Sequence, residues 1–250
     1  MTIGRRIYGL GAVTLGIPGL VFGSFAVLGQ PVPAQFPFAQ PLAYAAAALL
    51  VLAGLAANLP RTAAIGSLVV AVFFALSIAL LHLPQAATEP MVWVSWENLA
   101  EKTVMALGGV LAWAWQSPAG QPRAAAILRI VRPLFGVCVI VFGTSEFVYA
   151  AFTAAFVPAW LPPSGWFWAY LTATCQIAAG LAMVSGVQAR LAAILLTAMY
   201  LIFSLIVHLP RVFADPTGPM AWAENGSNLV LAGAVWVLAD SLAKAGMRAR

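Results

Sequence analysis

The sequence predicts an all-α integral membrane protein with eight transmembrane helices, arranged as two parallel four-helix repeats. Of its 250 residues, 63% are hydrophobic and only 8% are charged, whereas a soluble domain has roughly a quarter charged residues. Its apolar runs approach the ~20 helical residues that cross a bilayer core. The third observation is an internal repeat, described below. These features exclude an ordinary soluble globular domain.

Eight apolar segments follow one another along the chain, and each predicts one helix. The first follows Arg5 and Arg6 and so resembles a signal peptide, but the internal repeat matches it to an interior helix and predicts that it is retained. The last segment is short. The segments are Ile7–Leu28, Leu42–Leu59, Thr62–Leu81, Leu99–Trp115, Pro133–Phe156, Trp166–Val184, Ala189–Val207 and Leu229–Leu242.

A shift of 126 residues superimposes one half of the sequence on the other. It aligns Tyr44 with Tyr170, the AGLA run at 53–56 with the same run at 179–182, and His82-Leu83-Pro84 with His208-Leu209-Pro210. One further residue of slip aligns the flanks, where Glu97-Asn98 meets Glu224-Asn225. Self-similarity of this kind indicates a tandem duplication. We expect residues 1–120 to form the first four-helix unit and residues 121–250 the second.

The basic residues predict the orientation in the membrane. When eight helices are threaded, only Lys102 and Arg211 fall on the side opposite to the other basic residues. By the positive-inside rule, the crowded side is cytoplasmic, so we expect an inner-membrane protein with both termini in the cytoplasm. The net charge is +5, but the basic residues are spread between apolar runs and form no patch. The predicted partner is therefore the lipid bilayer and not a nucleic acid.

On this topology each half brings a set of polar residues to the outer face. The sets are Tyr44, His82, Glu97 and Asn98 in the first half, and Tyr170, His208, Glu224 and Asn225 in the second. Each histidine precedes a proline by two residues, and Pro84 and Pro210 are expected to end the third helix of each half. Mouths of helix bundles hold ligands. The alternative is structural, because such residues also cap helices and interact with their dipoles.

Glu146 differs from these residues because it lies inside the fifth apolar segment, where the first half has Gly19. An ionisable group at membrane depth is expensive and is a functional candidate by default. We expect His208 or Tyr170 as its partner. The alternative is a neutral carboxyl that forms hydrogen bonds between helices. Gln176 either lines the same cavity or links two helices.

Several familiar sites are absent from the sequence. It has no Gly-rich phosphate loop, no Ser-His-Asp arrangement and no zinc-ligand spacing, so no metal site is predicted. Cys138 and Cys175 lie in apolar runs and form no C-x-x-C pair. The two histidines suggest haem ligation across the pseudo-axis, but only by their symmetry. The cofactor therefore stays undetermined, and so does the question of whether the protein is an enzyme.

The second half resembles the DoxX-like membrane proteins. The resemblance rests on Arg132 followed by GVCVIVFGTSEFVYAAF, then VPAWLPP, FWAYLTA, IAAGLAM and HLP. The first half is looser and has VPAQFPF where the second has VPAWLPP. The resemblance implies a four-helix unit present twice. Similar proteins often have histidine where this chain has Glu146 and Gln176.

The same resemblance implies a place in a membrane redox system, beside a separate redox subunit. The lead hypothesis is a component that binds a small apolar or quinone-like ligand at the outer face. Glu146, His82 and His208 would handle protons, and the tyrosines and outer glutamates would shape the site. A small-solute carrier is the alternative, because parallel repeats and an embedded carboxylate suit transport as well. A scaffold without a ligand is the third possibility.

Overall fold

The computed structural model describes residues 3–33 and 35–248 of the chain, and these residues are 84% helical and contain no strand. The all-α prediction is therefore confirmed. The α-helices are α1 (Ile3–Phe22), α2 (Ala39–Asn58), α3 (Ala63–Ser77), α4 (Leu83–Thr88), α5 (Trp93–Gln116), α6 (Ala124–Val148), α7 (Ala150–Phe156), α8 (Gly165–Ser185), α9 (Ala189–Phe203), α10 (Leu209–Ala214) and α11 (Pro219–Arg248).

Six helical stretches within the described residues are long and apolar enough to cross a membrane, which makes this a multi-pass membrane protein. They are Ala39–Asn58, Ala63–Thr88, Gln121–Val148, Gly165–Ser185, Ala189–Ala214 and Pro219–Met247. Helices α1 and α5 are not among them. In α5, Glu97, Glu101 and Lys102 lie within a turn and a half and lower the mean hydropathy of the helix.

The long helices pack in a closed ring. Its order is α1, α2, α3, α5, α6, α8, α9 and α11, and α11 returns to α1. Helices α5 and α11 also touch each other across the ring. The first helix of each half therefore packs against the fourth helix of the other half, so the two halves interlock.

The contact between α1 and α11 is lined with glycines from both helices. Gly4 and Gly11 of α1 face the backbone of α11, and Gly226 and Gly233 of α11 face the backbone of α1. A side chain at any of these four positions would collide with main-chain atoms of the other helix. Small residues allow such close approach, and van der Waals packing then holds membrane helices together.

Within each half, the first and second helices cross at matching positions. Gly9 of α1 meets Gly54 of α2, and Gly136 of α6 meets Gly180 of α8 in the same way. Further along the same helix pairs, Gly16 lies against the Ala47 carbonyl, and Gly143 lies against the Ala173 carbonyl. Equivalent residues thus make equivalent contacts in the two halves.

The prediction that Pro84 and Pro210 end a helix is wrong. The π-helical turn Ile78–His82 follows α3, and the π-helical turn Ser204–His208 follows α9. An α-helix then continues through the proline in each case, as α4 after the first turn and as α10 after the second. The proline occupies the first turn of the new helix, where its missing N–H is tolerated. Each histidine is thus the last residue of a widened turn and does not lie at a helix end.

The fourth helix of each half begins earlier than predicted, at Trp93 and at Pro219. The indole of Trp96 donates to the Pro90 carbonyl (3.0 Å), and Trp222 donates to that of Pro216 (3.0 Å). The offset of 126 residues therefore persists into these helices. At the starts of these two helices the additional one-residue shift does not apply. Glu224 therefore occupies the position that corresponds to Asn98, and not the position of Glu97.

Candidate functional site

Glu146 lies on α6 and bonds to two polar residues of α8. The Thr172 hydroxyl lies 2.7 Å from its Oε2, and Gln176 Nε2 donates to its Oε1 at 2.5 Å. Thr172 and Gln176 are four residues apart and so share one face of α8. The structure therefore corrects the expected partners, His208 and Tyr170. Both expected partners were chosen by their expected depth in the membrane, but depth does not determine which helix face points inward.

The network around Glu146 continues into α9 and α11. The buried Tyr200 hydroxyl donates to Gln176 Oε1 at 3.3 Å. Asn228 Nδ2 lies 2.5 Å from the Tyr200 carbonyl and 2.8 Å from Ser204 Oγ, at the start of the second π-helical turn. Helices α6, α8, α9 and α11 are thus joined by a continuous set of polar contacts inside an apolar bundle.

A second carboxylate, Glu97 of α5, bonds to the residue that precedes Glu146 on α6. Ser145 Oγ, beside Glu146 on α6, donates to Glu97 Oε2 at 2.5 Å. One turn further along α5, Glu101 pairs with the buried Lys102 at 2.9 Å. The sequence placed Glu97 in an outer cluster with Tyr44 and His82. Because α5 begins at Trp93, Glu97 instead lies inside the helix and faces the second half.

His82 is buried and bonds to Gln30, which lies between α1 and α2. His82 Nε2 lies 3.1 Å from Gln30 Oε1, and Gln30 Nε2 donates to the Leu28 carbonyl at 3.2 Å. An amide oxygen only accepts, so Nε2 must carry the histidine proton. The Nδ1 atom is buried and has no hydrogen-bond partner in the structure. His82 is therefore held in one tautomer, with the proton on Nε2 and none on Nδ1.

An apolar groove of about 480 Å³ lies beside this pair. Its walls are formed by Leu49 of α2, Val72 and Leu76 of α3, and Leu80 of the π-helical turn, and the largely buried Gln30 also lines it. Val72, Leu76 and Leu80 also lie on the outside of the helix ring. In a bilayer, the groove therefore opens toward lipid.

In the second half, His208 belongs to a different arrangement. Its Nδ1 lies 3.8 Å from Glu224 Oε2, and the same carboxylate pairs with Arg211. The Arg211 guanidinium lies 4.0 Å above the Phe156 ring. The pairing of His208 with Glu224 is the one contact within the predicted outer sets that the described residues show.

The remaining predicted residues are dispersed. Tyr44 and Tyr170 are exposed, and Tyr170 packs against Phe147 with ring centroids 5.7 Å apart. Asn98 is half-buried. The carboxamide oxygen of Asn225 is buried and lacks a hydrogen-bond partner. The structure thus replaces two like outer clusters with two different sites, one at His82 and one at Glu146.

Four residues that matter here were missed from the sequence, namely Gln30, Ser145, Tyr200 and Asn228. Asn228 and Tyr200 carried a usable signal, since each is a polar group within a long helix that must find a partner in the bundle. Gln30 and Ser145 carried none, because each depends on contacts with a distant helix. Among the described residues, no group of three or more His, Cys, Asp or Glu side chains is placed to hold a metal ion.

Comparison with known proteins gives one positive finding. Residues 127–209, from α6 to the start of α10, match the family model described as DoxX. No curated protein and no solved structure matches the chain significantly. The resemblance noted in the sequence of the second half is therefore confirmed over that range.

Proposed function

From the match of residues 127–209 to the DoxX family model, we propose that the chain is a duplicated DoxX-like protein with units at 1–120 and 121–250. The two π-helical turns are separated by 126 residues, which is the offset of the sequence repeat, and this supports the proposal. The matching glycine contacts at Gly9 and Gly136 support it as well. Both histidines then derive from one ancestral position. Divergence after duplication explains why Glu146 has no carboxylate counterpart in the first half.

In this proposal α1 and α5 also cross the membrane, which gives eight spans with both termini in the cytoplasm of the inner membrane. Their polar groups have partners that support the placement. Arg5 donates to Gln116 Oε1 at 3.0 Å, and Lys102 pairs with Glu101 at 2.9 Å. Their neighbours in the ring are among the six apolar stretches. Charged groups are tolerated at membrane depth when they face the bundle interior and are paired.

We propose that the protein binds a small quinone-like molecule at its outer face, as a component of a membrane redox system. The observation that carries this proposal is the apolar groove, which Gln30 also lines. Gln30 uses one amide hydrogen for Leu28 and one oxygen lone pair for His82, so one hydrogen and one lone pair remain. The proposal is that these remaining groups meet the carbonyl or hydroxyl oxygen of a ring that lies in the groove.

The role of His82 follows from its tautomer. When a quinol is oxidised, two electrons leave for a separate redox subunit, one of the two protons is taken by His82 in this proposal, and the other is released to water. Because Nδ1 is free, His82 can take one proton while its Nε2–H bond to Gln30 remains in place. Glu146 and His208 are proposed to handle protons elsewhere in the molecule. The dispersed residues Tyr44, Tyr170, Asn98 and Asn225 shape the outer surface in this proposal.

The test is binding of decylubiquinone to the purified chain in nanodiscs, with native mass spectrometry to detect any quinone that is retained. We expect Gln30→Leu to weaken binding at least about tenfold, because two hydrogen bonds of about 1 kcal/mol each are lost. Gln85→Leu is the matched control, since Gln85 lies outside the groove and bonds to Glu89. Equal binding by both variants and the unmodified chain would contradict the proposal.

A carrier for a small solute is the second candidate, and the buried Glu146 network favours it. An embedded carboxylate with hydroxyl and amide partners can bind and release a proton during transport. In proteoliposomes, solute uptake driven by a proton gradient should be lost in Glu146→Gln and retained in Glu89→Gln. Uptake that survives Glu146→Gln would exclude a proton-coupled carrier that depends on this residue.

A further inference from the structure

We propose that most of the apolar groove holds the hydrocarbon tail of the ligand, so that the ligand is a quinone with an isoprenoid tail. We propose further that one such molecule binds per chain. This inference rests on the quinone site proposed above and deepens it. It adds the substrate class, a tailed quinone dissolved in the membrane, and the path along which the tail lies.

The groove follows one face of a single long helical stretch, Ala63–Thr88. Leu68, Val72, Leu76 and Leu80 line it and recur every four residues, so they share one face. Twelve residues of helix, from Leu68 to Leu80, rise about 18 Å. A quinone head group is about as long as one helical turn, ~5.4 Å. The groove is therefore much longer than a head group.

The end of the groove that receives the head group is fixed by Gln30. Gln30 lies 3.1 Å from His82 Nε2, and His82 follows Leu80 by two residues. The remaining amide hydrogen and lone pair of Gln30 are therefore at the Leu80 end. A head group that meets them leaves the stretch from Leu76 to Leu68 for another part of the ligand.

That remaining stretch of the groove suits only a hydrocarbon chain. Among the described residues that line the groove, Gln30 and Ser77 alone have polar side chains. Ser77 Oγ already donates its hydrogen to the Phe74 carbonyl at 2.9 Å. A polar group placed between Leu76 and Leu68 would lie among apolar side chains without a partner, which costs free energy.

The orientation of the groove matches that of a tail in a membrane. The stretch Ala63–Thr88 is one of the six that are long and apolar enough to cross the bilayer. The groove runs along this stretch and so lies parallel to the surrounding lipid chains. Because Val72 and Leu76 are also on the outside of the helix ring, a ligand dissolved in the membrane can enter sideways with its tail already aligned.

The second half of the chain does not repeat the residues that make this groove. Phe203 stands at the position of Ser77 and packs against the buried core. Gln30 corresponds to Phe156 or Val157, depending on the one-residue slip, and both are apolar. A large ring thus replaces the small side chain, and the amide is lost. We therefore expect one ligand per chain, although the fold contains the helix pair twice.

The test compares decylubiquinone with its parent quinone without a tail, in nanodiscs, with ligand concentrations expressed per mole of lipid. Val72→Trp places an indole in the middle of the groove, two turns from Leu80. The tail must then leave the groove, whereas the head-group end stays open. We expect the affinity for decylubiquinone to fall at least about tenfold and that for the tail-less quinone to stay within about twofold. Ile65→Trp is the matched control, since Ile65 lies on the same helix, is exposed and does not line the groove.

Unchanged binding of decylubiquinone to Val72→Trp would overturn the inference, because the tail would then lie elsewhere. Equal weakening of both ligands would do so as well, since the head group itself would occupy the middle. Two bound molecules per chain would overturn the stoichiometry. If either of the first two results appears while Gln30→Leu still weakens binding, the quinone site stands without the tail path. If neither ligand binds the unmodified chain, the quinone site fails and the inference with it.

Native mass spectrometry tests the other source of a hydrocarbon chain, a phospholipid. We expect decylubiquinone to displace any phospholipid that the unmodified chain retains and Val72→Trp does not. A phospholipid that decylubiquinone leaves in place would identify the occupant as an acyl chain and overturn the inference. If Val72→Trp fails to fold, Leu49→Trp narrows the groove from α2, at a side chain that is 44% exposed, and the same outcomes apply.

Discussion

Replacement of Gly233 by leucine should prevent stable packing of α1 on α11. A side chain at this position would collide with the backbone of Ile7 and Tyr8. The collision pushes α1 outward and also breaks the 2.8 Å bond from the Tyr8 hydroxyl to the Met105 carbonyl. We expect a loss of about 3 kcal/mol of folding free energy, the upper end of typical overpacking costs, and a fall of about 10 °C in the melting temperature.

Gly246→Leu is the matched control for that experiment. Gly246 lies on the same helix, and no other atom is near enough to contact a side chain there. The control should be neutral or slightly more stable, because leucine has a higher helix propensity than glycine. Thermal unfolding of both variants in mild detergent gives the comparison. Similar melting temperatures for the two variants would show that α1 and α11 do not approach as closely as described.

Replacement of Asn228 by leucine should loosen the second π-helical turn. Asn228 bonds to the Tyr200 carbonyl and to Ser204 Oγ, the residue at which that turn begins. Removing the amide leaves both buried groups without this partner, at a cost of about 2 kcal/mol. His208 ends the same turn, so its distance from Glu224 should also change.

Hydrogen–deuterium exchange over residues 204–214 measures this effect directly, alongside thermal unfolding. Asn225→Leu is the control on the same helix, since its carboxamide oxygen makes no hydrogen bond that the substitution would break. Faster exchange in the Asn228 variant only is the expected result. Equal exchange in both variants would mean that the backbone alone maintains the widened turn.

The sequence predicted the helices well because their signal is local. Long apolar runs have few alternatives to helix in a bilayer, and each predicted segment overlaps a helix of the structure. The ends were harder to predict. Pro84 and Pro210 marked helix ends by the usual rule, but the rule assumes an α-helix before the proline. A π-helical turn before each proline changes the hydrogen-bond pattern, and no sequence rule applied here detects such a turn.

The candidate site was predicted in part. Membrane depth singled out Glu146. Of the two alternatives for Gln176, a place in the same cavity or a hydrogen bond between helices, the structure shows the hydrogen bond, which joins α8 to Glu146 on α6. Glu97 and His82 were assigned to one outer cluster because depth was the only coordinate available. Their actual partners, Ser145 and Gln30, depend on which helix faces which, and that is set by packing of distant segments such as α5 on α6.

The crossed pairing of first and fourth helices has a consequence for biosynthesis. Helix α1 is made before the other described helices, yet its glycine-lined face is covered by α11, the last of them to leave the ribosome. Until residue 219 and those after it are inserted, that face is in contact with lipid or with an insertion factor. A chain that stops before α11 therefore displays Gly4 and Gly11 on an uncovered surface, and such a surface distinguishes an unfinished chain from a finished one.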